Sequence, residues 1–384
     1  MSCNLDPLWA KPHKEMLGEA PRPVRVSSPC VGLNAQKRAA NELSFPMDTI
    51  NVFDVDLRLK VALRNLDPGL EMHVGKAGDV LRFPVDHLEV PCDGLVAGPP
   101  CPPHSDIGQR RRGKDSRCSV FDQVGEWIKH LVKFGLLWFV LENVSGILKR
   151  GAQDAISWAD RFIAELQASL PAGWNICIRR ADCMDFGIPQ HRPRVFVVGV
   201  SPAMRATDDQ KIILDAPLKT IDRRPLKDFL DLETGDDFGQ QTIRQQTNIL
   251  MQLEAFHKKL ETMEPTVPKP DLAVIECTRD PVKGFSDPTY DSVPCFRCSN
   301  NSLWILPSPG MQSTFGMQGR LLKKQEKARL CGIVYESVAT LGDEAFHRAV
   351  GNAIPVPLLG AVLAPVLSAW AIAVRAGAKA DSDA

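Results

Sequence analysis

The 384-residue chain reads as an α/β protein built on a mostly parallel sheet. Two observations predict this. Short apolar runs alternate with segments of helical period, and the runs are rich in Val, Ile, Leu and Phe and bounded by turn residues. In addition, residues that carry chemistry follow the ends of those runs, where an open α/β sheet holds its ligands. The runs are "VRVSS" (24–28), "INVFDVD" (50–56), "DGLVAG" (93–98), "WFVLENV" (138–144) and "RVFVVGV" (194–200), with a short strand expected near "MHVGKAGDV". Between them, Val120, Val124, Trp127, Ile128 and Leu131 recur at helical spacing, as do Ile156, Phe162, Ile163, Leu166 and Leu170. From about 205 to 315 the chain turns polar and proline-broken, with one helical segment, "TNILMQLEAFHKKLETM", and reads as a smaller separate domain.

Composition narrows the class. Forty-six Lys and Arg balance 46 Asp and Glu, which argues against a wholesale basic binder but leaves room for a local patch. Eleven cysteines, an odd count, with no signal-peptide pattern at the start, suit a reducing intracellular compartment. "CFRC" (295–298) is a single CxxC with no second pair at zinc spacing and reads as structural, with no metal. The apolar C-terminal run 356–374 is interrupted by Pro365 and small residues, which predicts a buried helix pair rather than a membrane span.

In "AGPPCPPHSD" (97–106), Cys101 stands between two proline pairs. Each proline fixes its own φ and pushes its predecessor to extended geometry, so the thiol sits on a stiff irregular loop. Asp54 and Asp56, Asp79, Cys101, Glu142 and Asn143 all follow predicted strands. Singly, such carboxylates are solvated strand ends or helix caps; together with a thiol they describe a site. A thiolate beside a carboxylate suits attack at C6 of a pyrimidine protonated at N3, which turns C5 into a nucleophile able to accept a methyl group. Arg192 and Arg194 alternate along an extended segment and are expected to share a face toward that site. The run "GQRRRGKDSR" (108–117) fits a basic loop that grips phosphate and closes over an extruded base.

These motifs, in this order, resemble the cytosine-C5 DNA methyltransferase family, from about residue 24 to 370. "GPPCPPHS" is similar to the nucleophile motif, with Cys101 as thiol, and "ENV" (142–144) to the glutamate motif, with Glu142 at N3. "QHRPR" (190–194) resembles the motif that carries Gln190, Arg192 and Arg194. "GDV" (78–80) and "FDVD" resemble the segments that meet the adenine and ribose of S-adenosylmethionine, here through Asp79 and through Asp54 rather than Asp56. "DSR" (115–117), "RLLKKQEKARLCGI" (320–333) and "GNAIPVPLLGAV" resemble later segments, with Asn352 supporting the cofactor site.

The resemblance implies a Rossmann-like methyltransferase sheet with helices on both faces, plus a smaller target-recognition domain. It divides the chain into an extension (1–20), a catalytic domain (21–204), a recognition domain (205–319), a C-terminal segment completing the catalytic domain (320–376) and a tail (377–384). The implied reaction moves a methyl group from S-adenosylmethionine to a cytosine flipped out of duplex DNA, with Cys101, Glu142, Arg192 and Arg194 catalytic. Ser28, Gly32, Asp54, Asp79 and Asn352 would bind cofactor; Ser105, Arg110, Arg111, Arg112 and Gln190 would bind nucleic acid. The place of action would be the nucleus or, in a bacterium, the cytoplasm. A tRNA substrate and a non-catalytic nucleic-acid-binding role stay open alternatives. One departure stands out: "SSPCVGLNA" puts Ser28 where the family has Phe and Cys30 at the first Gly, retaining Gly32.

Overall fold

The computed structural model describes residues 8–100, 118–150, 155–235, 237–278, 288–298 and 302–382. In chain order the elements are α1 (Lys11–Lys14), β1 (Val24–Pro29), α2 (Ala35–Glu42), β2 (Met47–Asp54), α3 (Leu59–Leu66), β3 (Met72–Val74), β4 (Gly94–Ala97), α4 (Cys118–Val132), β5 (Trp138–Val144), α5 (Trp158–Ser169), β6 (Asn175–Asp182), β7 (Pro193–Val200), α6 (Asp208–Asp215), α7 (Ile243–Thr262), β8 (Leu272–Glu276), β9 (Thr289–Tyr290), β10 (Leu303–Pro307), α8 (Gln312–Phe315), β11 (Arg320–Leu321), α9 (Lys324–Arg329), α10 (Tyr335–Val338), α11 (Asp343–Asn352) and α12 (Val356–Ser382). The chain forms two compact units. The first comprises Met1–Asp182, Pro193–Ile221 and Ile354–Ala384, the second Cys183–Arg192 and Asp222–Ala353.

Unit 1 holds a seven-stranded sheet in the order β3-β2-β1-β4-β5-β7-β6. β1 to β5 pair in parallel, while β7 runs antiparallel between β5 and β6. β1 pairs with both β2 and β4, so the strand order reverses there, the place where sheets of this kind hold ligands at their carboxyl ends. Helices cover both faces. On one side α4 and α5 bury Phe121, Val124, Trp127, Phe162 and Leu166 against Leu95, Phe139 and Val197. On the other, α12 lies with α2 and α6. The expected strands form, with β2 longer at its start than the sequence suggested. Asn51 bulges out of β2 with φ 47°, and its amide exchanges hydrogen bonds with the Glu89 backbone.

Features of unit 1 differ from the sequence reading. β6 was not anticipated; it is a half-buried edge strand whose "NICIRRAD" shows no clean apolar pattern. Ile156 lies before α5 and is 50% exposed, because Ser157 and Asp160 form a capping box that starts the helix at Trp158. The expected terminal helix pair within 356–374 is one helix, α12, running through Pro365. The proline removes one helical hydrogen bond; burial of Val362, Val366, Leu367 and Trp370 outweighs that loss. Among the described residues one stretch, Asp343–Gly377, is long and apolar enough to cross a membrane, and 83% of its most apolar window is buried inside the protein.

Unit 2 holds a four-stranded antiparallel sheet, β11-β10-β8-β9. α7 lays Ile249, Leu253, Phe256 and Leu260 on Ala273, Ile275, Trp304 and Leu306. Arg320 and Glu326 are fully buried and bidentate to one another, at 2.5 and 2.9 Å. The backbone of residues 231–233 closes around that pair. This network ties 320–353 into unit 2, whereas the sequence division placed them with the catalytic domain; residues 205–221, assigned to the recognition domain, cluster with unit 1.

Candidate active site

The carboxyl end of β1 leads into a loop with three left-handed residues, Cys30 (φ 58°), Gly32 (φ 56°) and Asn34 (φ 51°). Only glycine adopts this geometry without a steric cost, so Cys30 is strained where the family has glycine. Burial drives the Cys30 thiol pKa far above its ordinary range, and the nearby carboxylates of Asp54 and then Asp79 add to the rise. Asp54 ends β2 and accepts from the Gly32 and Asp56 backbone N–H groups at 3.0 and 2.9 Å. Burial raises its pKa against the pull of those two bonds. Asp56 instead pairs with Arg58 at 2.7 Å. Gly78 lies so close to β2 that a Cβ there would stand 2.2 Å from the Asp54 carbonyl oxygen, which brings the Asp79 loop against the Asp54 strand end. Asp79 accepts from the Leu81 N–H and pairs with exposed Arg82 at 3.1 Å. Asn34 Oδ1, buried in the same loop, has no hydrogen-bond partner among the described residues.

Ser28 lies in β1, just before this loop. It is 1% exposed, donates to the Val96 carbonyl at 3.4 Å and accepts from Gln36 Nε2 at 2.6 Å. Its hydroxyl joins β1, β4 and α2. Gln36 had no signal in the sequence.

Glu142 lies on β5 with its side chain 11% exposed, and Arg194 Nε on β7 meets its Oε1 at 2.7 Å. In the antiparallel register Glu142 faces Phe196 and Val144 faces Arg194, so the ion pair is a diagonal one on one face of the sheet. Glu142 Oε2 stands 3.5 Å from where a Cβ on Gly98 would be. Asn143, 1% exposed, donates from Nδ2 to the Pro99 carbonyl at 3.1 Å. The carboxyl end of β4, which leads to Cys101, is thereby pinned beside Glu142. Asn143 was legible only as the neighbour of Glu142 in "ENV". Cys101, Ser105, Arg110, Arg111 and Arg112 lie outside the described residues.

Arg192, Gln190 and Asn352 belong to unit 2. Arg192 precedes β7 and is 1% exposed; its Nη2 donates to the Gly351 and Ala353 carbonyls at 2.8 and 2.6 Å. Arg192 thus stands just outside β7 and Arg194 within it, and the two guanidinium groups have different partners, in different units. Gln190 is fully buried, bridged to Val293, with Nε2 toward the Pro294 carbonyl, so as folded it offers nucleic acid no surface. Asn352 ends α11 and accepts from the Cys298 thiol at 2.7 Å. Among the described residues no group of three or more His, Cys, Asp or Glu gathers to hold a metal ion.

The fold and these motifs have known counterparts. Among solved structures, the Dnmt2 methyltransferase of S. pombe superposes with a TM-score of 0.58 at 16% identity, covering 90% of this chain and 98% of that one. A putative DNA modification methyltransferase encoded within prophage Cp of E. coli gives 0.56 at 16%, covering 89% and 98%. At such identity the likeness speaks for the fold, a Rossmann-like methyltransferase sheet. Among curated relatives, Type II methyltransferase M.FnuDI of Fusobacterium nucleatum is 31% identical over 138 residues, covering 36% of this chain and 37% of that protein. Type II methyltransferase M.DdeI of Desulfomicrobium norvegicum is 35% identical over 130 residues, covering 34% and 29%. The chain thus spans about a third of the length of the curated relatives it matches. The sequence profile described as C-5 cytosine-specific DNA methylase matches residues 72–367, starting after the altered loop at Ser28 to Asp54. With that match running over most of its length, the chain belongs to the C-5 cytosine-specific DNA methylase family.

Proposed function

We propose that this chain is a DNA (cytosine-5-)-methyltransferase that uses S-adenosylmethionine and works through covalent addition of Cys101 to C6 of a flipped cytosine. The observation that carries the reading is the buried Glu142–Arg194 pair beside the Gly98–Pro99 strand end that leads to Cys101. Arg194 Nε holds Glu142 Oε1, and Glu142 Oε2 lies near Gly98, at the strand end that leads to Cys101. In this reading Glu142 holds the proton at N3 of the base, which makes C6 electrophilic. Cys101 attacks C6, electron density shifts to C5, and after the methyl group has arrived loss of the C5 proton reforms the C5–C6 double bond and expels the Cys101 thiolate.

The residues around Cys30 fit S-adenosylmethionine: two carboxylates, Asp54 and Asp79, suit ribose hydroxyls and an adenine edge, and Gly32 and Asn34 offer a tight turn with an unused acceptor. The cofactor supplies an electrophilic methyl group; the chain's own part is to hold its polar edges and keep water away. The basic run 108–117 grips the DNA backbone, and the target is extruded because C5 and C6 are shielded while stacked. The reaction takes place inside the cell.

The test is transfer of a tritiated methyl group to duplex DNA and, separately, to total tRNA, with the product base identified. Label at C5 of cytosine in DNA is expected. Label in tRNA alone would replace the DNA substrate, and label in neither, with cofactor bound, would leave a binding protein.

A further inference from the structure

The CFRC segment, 295–298, closes a ring of contacts with the last turn of α11, and nothing in the proposed methyl transfer uses it. Arg192 Nη1 lies 3.8 Å from Cys295 Sγ, while its Nη2 holds the Gly351 and Ala353 carbonyls. From the other side, the Cys298 thiol donates to Asn352 Oδ1 at 2.7 Å. Gly351 makes the fit possible: a Cβ there would stand 2.5 Å from the Arg297 carbonyl carbon and 2.6 Å from the Cys298 nitrogen. Burial raises the Cys298 thiol pKa, the Arg192 charge opposes that rise and Cys295 adds to it, while Arg192 Nη1 also lies beside Cys295 Sγ. Neither cysteine is in a disulfide, and of the eight cysteines whose surroundings are described Cys298 is the exposed one.

We propose that Cys295 and Cys298 are a redox-responsive thiol pair whose oxidation to a disulfide frees Asn352 and loosens the end of α11. The oxidant is a small-molecule disulfide. One thiolate attacks it, forming a mixed disulfide and expelling one small thiol; the second cysteine then displaces the other. Two electrons and two protons leave the cysteine pair, one S–S bond forms and one breaks. The oxidised Cys298 sulfur has no proton to donate to Asn352, and it is drawn toward Cys295 by bond geometry that tolerates little deviation. This inference is independent of the methyl-transfer reading.

The experiment incubates the full chain with oxidised or reduced glutathione, then follows disulfide mapping and amide hydrogen exchange. Trypsin cuts after Arg297, so a Cys295–Cys298 disulfide appears as two linked peptides that separate on reduction. Linked peptides are expected with the oxidised form, together with faster exchange at the amides of 350–353. Cys295→Ser should give only a glutathione adduct on Cys298. Cys298→Ser, whose hydroxyl still donates to Asn352, should keep slow exchange in both buffers. A stable glutathione adduct on wild-type Cys298 with Cys295 left as thiol would overturn the pair. So would linked peptides without any change of exchange at 350–353, since the disulfide would then release nothing.

Discussion

The Arg194 guanidinium meets the Glu142 carboxylate at 2.7 Å across adjacent antiparallel strands, with both side chains about nine-tenths buried. A buried carboxylate deprived of its partner is costly, so Arg194→Ala should destabilise the fold by about 3–5 kcal/mol. Adding Glu142→Ala to that variant should restore part of the stability and none of the methyl transfer. Denaturant midpoints and transfer rates on the three proteins test this; additive stability losses would mean the pair is not coupled. Glu142→Gln alone should slow transfer by roughly 10²–10⁴, the usual worth of a general acid or base.

Cys101→Ser should abolish methyl transfer while leaving DNA binding largely intact. Wild-type chain should form a denaturant-resistant adduct with duplex DNA carrying 5-fluorocytosine, because fluorine blocks the last proton loss. An active enzyme that gives no adduct would remove Cys101 from the nucleophile role.

The altered cofactor loop makes opposite predictions at its two unusual positions. Cys30 sits at φ 58°. Cys30→Gly relieves a left-handed cost of about 1–2 kcal/mol against about 0.5–1 kcal/mol of added chain freedom. A modest rise in melting temperature and tighter S-adenosylmethionine binding by calorimetry are expected. Ser28→Phe restores the residue usual in the family, but the buried Ser28–Gln36 bond fills that place. Overpacking there should cost about 1–3 kcal/mol and gain no affinity. A tighter-binding Ser28→Phe would show that the loop rearranges around the aromatic ring.

In unit 2, α9, which carries Lys324 and Lys327, meets α11, which carries Asp343 and His347, and Lys324 pairs with Asp343. Burial, and then the Lys327 charge, lower the His347 pKa from 6.5 to about 4. Between those values the unfolded chain binds a proton that the folded chain refuses, so stability should fall as pH drops through that window. Lys327 is lowered from 10.5 to about 8, again by burial first, so its contribution should rise as pH climbs between those values. Urea midpoints at about pH 5 and about pH 7 should differ less in His347→Gln than in wild type. Equal differences would place the acid sensitivity elsewhere.

Replacing Arg110, Arg111 and Arg112 by alanine should weaken DNA binding whatever the sequence. The slope of log affinity against log salt should drop by about one unit for each phosphate no longer neutralised. An unchanged slope would leave 108–117 as a solvated run.

What the sequence determined by itself is what depends on local pattern. Short continuous apolar runs marked β1, β2, β4, β5 and β7, and period-3.6 apolar spacing marked α4 and α5, because each is buried through residues of its own. Asp54 at the end of β2, Asp79 just past β3 and Glu142 on β5 stand in or just after strands that the sequence itself marked, and strand ends are where an open α/β sheet holds its ligands. Tertiary structure decided what depends on distant partners. Pro365 passes through one helix because the sheet and neighbouring helices bury its flanks. β6 forms because β7 offers it a ladder, with little apolar pattern of its own. Arg192 and Arg194, two residues apart and alike in sequence, part company because the Gly351 and Ala353 carbonyls claim one and Glu142 the other. A buried guanidinium goes where acceptors already converge, and that convergence is set by segments some 160 residues away along the chain for Arg192.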